Sequence, residues 1–113
     1  MQIKKTKKFH LGIYAVIEKE ERFLLVKKSR GPYQGMWDLP GGRPNHGETL
    51  FQTLQREIRE ETGIDLIDAV SLANQAFVVE YTDGAEVISL HHTCLIYKAI
   101  QFDSSQFQDN IRS

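Results

Sequence analysis

The chain has 113 residues and a mass of 13.0 kDa, with 41% hydrophobic and 26% charged residues and a formal net charge of −1. That length fits one domain, 1–113, able to bury roughly two-thirds of its unfolded surface, with a short basic tail at 1–8 and a polar tail at 101–113. A single cysteine, Cys94, excludes a disulfide framework and points to a cytoplasmic protein, the near-neutral charge argues against a nucleic-acid surface, and no apolar run reaches the ~18 residues of a membrane span.

In chain order, Lys4, Lys5, Lys7 and Lys8 read as a solvated tail. Residues 9–17 form an apolar, β-branched run. Charged residues 18–22 follow it, with no small-residue cleavage site, so the run reads as a buried strand and not as a secretory signal. Residues 23–26 supply the second arm of a hairpin turning over 18–22. Gly31, Pro32 and Gly35 mark residues 29–35 as a loop, Trp37-Asp38-Leu39 is a brief extended piece that stops at Pro40-Gly41-Gly42, and residues 43–48 are again loop.

Residues 49–62 lack Gly and Pro and are rich in Leu, Glu, Gln and Arg, which predicts a helix. Thr49 and Gln52 stand in capping-box spacing and Gly63 sits where a helix-ending glycine belongs. Leu50, Leu54 and Ile58, with Phe51 beside them, form the stripe that packs on a sheet. Two long strands follow, around residues 70–81 and 86–100, with a turn at Asp83-Gly84. In the tail, Asp103-Ser104 is placed to cap a short helix carrying Phe107 and Ile111.

The helix works against itself at its C-terminal end. At ~100° per residue, Glu57 and Glu61 project within roughly 40° of each other, with Glu60 about 60–80° away, and all three flank the apolar stripe. Like charges four residues apart repel, and the helix dipole disfavours anions in the last turn. A surface network with Arg56 and Arg59 would neutralise them. A hard divalent cation bound through carboxylates and water would do the same.

The wider spacing shifts the balance toward the cation. Gly42-x5-Glu48-x7-Arg56-Glu57-Ile58-x-Glu60-Glu61-x-Gly63-Ile64 fills nine fixed positions over 23 residues. This pattern resembles the Nudix box, the signature of the Nudix hydrolase superfamily, and residues 37–42 resemble the segment that leads into the box in that family. The resemblance covers about residues 9–100. It implies an α+β Nudix fold: a mixed β-sheet with the box helix on one face, in an α/β/α sandwich whose C-terminal helix is shortened.

The resemblance further implies Mg²⁺- or Mn²⁺-dependent hydrolysis of a pyrophosphate bond in a nucleoside diphosphate linked to X. The products would be a nucleoside monophosphate and phosphorylated X. By the same resemblance Glu57, Glu60 and Glu61 are metal ligands, and the bound ion neutralises the diphosphate and acidifies a water. Arg56 would hold those carboxylates with a fork that lysine lacks, and Glu48 would support them or add a contact. Gly42 would let the backbone turn tightly beside the bound group. The general base is left open between a box glutamate and Glu80, Glu86 or Asp103.

Other residues carry structural expectations. His91 and His92 adjoin in a strand and point to opposite faces. His10 is isolated; His46 could meet a phosphate; Cys94 is a small core residue; Trp37 anchors its loop to the core. Tyr81 falls 17 residues after Ile64, as in diadenosine polyphosphate hydrolases, whereas activity on nucleoside triphosphates, as in the MutT group, is the first expectation. Only about a dozen polar residues follow Ile100, so the sheet face that a second helix covers in this family would be left bare. A homodimer through that face is expected, and a catalytically weak nucleotide-binding module on a truncated Nudix fold is the alternative to an enzyme.

Overall fold

Apolar and β-branched residues dominate the C-terminal half of the first strand, β1 (Lys5–Val16), which is buried on both faces at Ile13, Tyr14 and Ala15. The computed structural model describes residues 3–29 and 33–108. After β1 the chain makes a small hairpin of β2 (Glu18–Lys19) and β3 (Arg22–Phe23), whose turn residues Glu20 and Glu21 have φ of 55° and 63°. Two such values are those of a tight turn matched to strand twist. Next come β4 (Val26–Lys27) and β5 (Trp37–Asp38), paired antiparallel, and β6 (Gly41–Gly42). The expected stop at Gly41-Gly42 is instead this short edge strand, with Ile13 opposite Gly42 and Tyr14 opposite Gly41.

Helix α1 (Leu50–Thr62) begins with the expected capping box. Thr49 Oγ1 accepts from the Gln52 amide at 3.1 Å, and Gln52 Oε1 accepts from the Thr49 amide at 2.9 Å. It ends at Gly63, whose φ of 80° permits the left-handed cap. Leu54 and Ile58 are fully buried and Phe51 packs beside them, whereas Leu50 is 37% exposed at the helix start and falls outside the stripe. Together with Ile13, Ala15, Ile17, Ile64, Leu66 and Ala99 these residues make the core between helix and sheet. Each buried aliphatic side chain contributes roughly 1.5–3 kcal/mol relative to exposure.

Strands β7 (Asp65–Asp83) and β8 (Glu86–Asp103) are longer than their sequence signal and turn at Gly84, φ 64°. The four-stranded sheet runs β6-β1-β8-β7 and is mixed: β1 is parallel to β8, while the other pairs are antiparallel. Two tail expectations change. Lys5 to Lys8 belong to β1 and pair with Val87 to Leu90, so the basic segment is sheet and not a solvated tail. The strand also continues to Asp103; after it, Asp103 Oδ1 accepts from the Ser105 amide at 2.8 Å, and among the described residues up to 108 a turn stands where the short helix was expected to begin. Ile111 lies outside the described residues.

Among the described residues α1 is the one helix, so the architecture is α+β with helix on one face of a mixed sheet. Instead of a second helix, the other face carries the segment of β4 and β5, from which Tyr33 reaches His92. Exposed apolar side chains gather on the edge strand β7 at Ile67, Val70, Leu72 and Val78. They lie on both faces of that strand and not on one bare face.

Candidate functional site

Glu48 closes the loop before α1 and is gripped there. Its Oε1 accepts from the Asn45 amide at 2.7 Å and from Thr53 Oγ1 at 3.2 Å. Arg56, two turns into the helix, straddles it: Nε donates to Oε2 at 2.7 Å and Nη2 donates to Oε1 at 3.0 Å. These hydrogen bonds, the arginine's first, hold the Glu48 carboxyl down at about 2. The same guanidinium donates from Nη1 to Glu57 Oε1 at 2.7 Å and from Nη2 to the Arg43 carbonyl at 2.9 Å, and reaches Glu60 Oε2 at 3.5 Å. One planar fork therefore ties the loop, the chain after β6 and two box carboxylates together.

Glu57 lies over Gly42, where a β-carbon would collide with its carboxylate. Glu61 is only 4% exposed and accepts from the Gly41 amide at 3.2 Å. Burial pushes its carboxyl up to about 8; nearby Lys28 and the Gly41 amide pull the other way, and the Glu57 carboxyl adds to the rise. No cation stands within ion-pair distance of it among the described residues. Glu60 is the exposed member of the three.

Glu57, Glu60 and Glu61 all line one cavity of about 570 Å³ between α1, β6 and the outer part of β1. Among the described residues no three acidic, histidine or cysteine side chains are already drawn together as a metal cage, and Arg56 pairs with Glu57 and reaches Glu60. The donor set itself suits a hard divalent ion: oxygen donors only, one of them a buried carboxyl without a cation beside it.

The cavity also holds residues that motif spacing did not single out. Lys8, Lys28 and Arg43 bring positive charge to it, and Tyr14, Tyr33 and Asp38 line its far side. Tyr81, which its spacing from Ile64 did single out, lies on its wall as well. These residues come from β1, β5, β7 and two loops, so no local pattern joins them; that spacing of Tyr81 was the readable hint.

Several expectations change here. His10 is not isolated, since its ring meets that of His92 edge-on at 4.6 Å and it lines the cavity. His46 is exposed in a turn and is not part of the cavity wall. Trp37 is 65% exposed and lies near the Lys27 ammonium, so it does not anchor its loop in the core. His91 and His92 do face opposite ways: His91 stacks near Phe9 and His92 is buried at 3% exposure. Cys94 is buried as expected. Glu80 pairs with Lys5, Glu86 with Thr6 and Lys4, and Asp103 with its own turn, and none of the three lines the cavity.

Comparison with known proteins gives a consistent likeness. The family profile described as NUDIX domain matches residues 8–109. The nucleoside triphosphatase NudI of Enterobacter sp. (strain 638) is 33% identical over 105 residues, 83% of this chain and 74% of that protein. The ADP-ribose pyrophosphatase of Methanocaldococcus jannaschii is 41% identical over 54 residues, 48% of this chain. This chain spans only 32% of that relative's length. Among solved structures, the MutT NUDIX hydrolase from Burkholderia pseudomallei superposes with a TM-score of 0.67 at 34% identity, over 88% of this chain and 72% of that one.

Proposed function

The chain belongs to the NUDIX family, and we propose that it is a metal-dependent pyrophosphohydrolase acting on a nucleoside diphosphate linked to X. The observation that carries this reading is one cavity that joins three helix-borne carboxylates to lysine, arginine and tyrosine side chains. Acid on one wall and base on another is the pattern that a polyanionic substrate with a counter-ion needs.

Glu57, Glu60 and Glu61 would hold Mg²⁺ or Mn²⁺, which supplies neutralisation of diphosphate charge and a more acidic water. The chain's own residues do the rest. Arg56 holds Glu57 and Glu48 in fixed orientation, so the helix carboxylates enter the cavity at one geometry. Lys28, Arg43 and Lys8 face phosphate oxygens, and Tyr14 and Tyr33 give flat apolar surface for the nucleoside. Glu80, Glu86 and Asp103 stand outside the cavity, which supports a box glutamate as the proton acceptor.

A nucleoside triphosphate is the substrate class favoured by the relative described as a nucleoside triphosphatase, which is matched over 83% of this chain and 74% of its own length. A homodimer through the sheet face opposite α1 remains the proposed assembly, read by light scattering at micromolar concentration. Among the described residues no helix is long and apolar enough to cross a membrane. The activity is tested with a panel of nucleoside di- and triphosphate compounds in Mg²⁺ and in EDTA. Release of a nucleoside monophosphate only with metal supports the proposal; binding without turnover across the panel would replace it with a nucleotide-binding module.

A further inference from the structure

A second cavity of about 280 Å³ adjoins the first and shares Tyr14, Tyr33 and Asp38 with it. Its own walls are mostly apolar and aromatic, with Trp37, Phe77, Met36 and Ile96 among them and Gln75 as a polar member, and no box glutamate reaches it. Behind the shared tyrosines sits His92, 3% exposed, with a different tyrosine on each ring nitrogen. Tyr14 Oη lies 3.1 Å from Nε2 and Tyr33 Oη lies 2.9 Å from Nδ1. A neutral imidazole has one donor and one acceptor nitrogen, so one tyrosine donates to it while the other accepts from it.

The plane of that ring is itself fixed. The rings of His10 and Phe77 pack on it, with centroids 4.6 Å and 5.1 Å away. Tyr14 can reach it only because position 12 is glycine: a β-carbon on Gly12 would sit within the Tyr14 ring. Tyr14 therefore leans back along β1 toward His92 instead of standing over its cross-strand neighbour Ile96.

We infer that His92 is a positioning residue, holding Tyr14 and Tyr33 as the wall between the cavity of the carboxylates and the aromatic slot, so that the planar base of a nucleotide lies against them in the slot. The inference rests on the pyrophosphohydrolase reading for its kinetics but not for its binding. Since none of the three helix glutamates lines the slot, loosening the wall weakens substrate capture and leaves the chemical step nearly untouched.

The test uses His92→Phe, which keeps an aromatic ring and removes both hydrogen bonds, together with Tyr33→Phe, Gly12→Ala and the double variant Tyr33→Phe/His92→Phe. His92→Phe is expected to raise KM about tenfold with kcat changed less than about twofold. The double variant is expected to be no worse than His92→Phe. Calorimetry with a nucleoside monophosphate should show the same loss of affinity without turnover. If His92→Phe fails to fold by circular dichroism, Tyr33→Phe and Gly12→Ala carry the same comparison. Unchanged KM and unchanged monophosphate affinity in folded variants would overturn the inference, as would a wild-type protein that binds no nucleotide. A wild-type protein that binds the monophosphate but hydrolyses nothing would end the pyrophosphohydrolase reading, while weakened binding in the variants would still support the wall.

Discussion

The carboxylate of Glu57 lies against Gly42, in the space that any larger residue's β-carbon would occupy. Gly42 pairs in β6 with Ile13 of β1, so neither the strand nor the helix can yield cheaply. Gly42→Ala is therefore expected to push Glu57 out of place while leaving the core intact. A displacement of about 1 Å at a reacting site costs on the order of 100-fold in rate. Measuring kcat together with the melting temperature checks this, with loss in the first and little change in the second.

Arg56 makes two hydrogen bonds to Glu48, one to Glu57 and one to the Arg43 carbonyl. A lysine keeps the charge but cannot hold four acceptors with one planar group. Arg56→Lys is expected to lower metal affinity or activity by roughly 10–100-fold, the usual effect of losing a group that orients ligands. Titration of activity against Mg²⁺ concentration would reveal it as a rightward shift of the curve.

The helix and its machinery were legible because their signals are local. Thr49 with Gln52, the Leu54 and Ile58 spacing, Gly63 and the crowded glutamates all lie within one short stretch, where a 3.6-residue period governs geometry. The rest depends on contacts between distant segments. Lys5 to Lys8 read as a tail since their charges hide a parallel pairing with residues some 80 positions later. The Tyr14–His92–Tyr33 bridge spans separations of 78 and 59 residues, beyond any periodicity. Trp37 misled because burial is the common state of tryptophan, whereas the short strand β5 leaves its ring outward.

Glu61 gives a pH dependence of definite sign. Its folded-state pKa is raised from 4.5 to about 8 by burial above all, so the metal-free fold prefers the protonated acid. Its contribution to stability is complete below pH 4.5 and is lost as pH rises through about 8. Cation affinity runs the opposite way, because the proton must leave before the carboxylate can bind metal. Glu61→Gln should abolish both trends: in EDTA, wild-type and variant melting temperatures should diverge in favour of the variant as pH rises from 5 toward about 8.

Gly63 closes α1 at φ 80° and packs against the Gln106 carbonyl, while the Gln108 amide donates to the Thr62 carbonyl at 2.9 Å. Alanine there meets both a disfavoured backbone conformation and a backbone collision. Gly63→Ala is expected to destabilise the fold by about 1–2 kcal/mol, seen as a lower urea midpoint with an unchanged slope.

Manganese binding followed by electron paramagnetic resonance addresses the cation site without depending on the choice of substrate. Titrated at pH 8, the wild-type protein is expected to take up Mn²⁺, with Glu57→Gln and Glu61→Gln each losing most of that uptake and Glu80→Gln losing none. Equal uptake by all four proteins, or none by the wild type even with a nucleotide present, would contradict the assignment of the three helix carboxylates to a divalent cation.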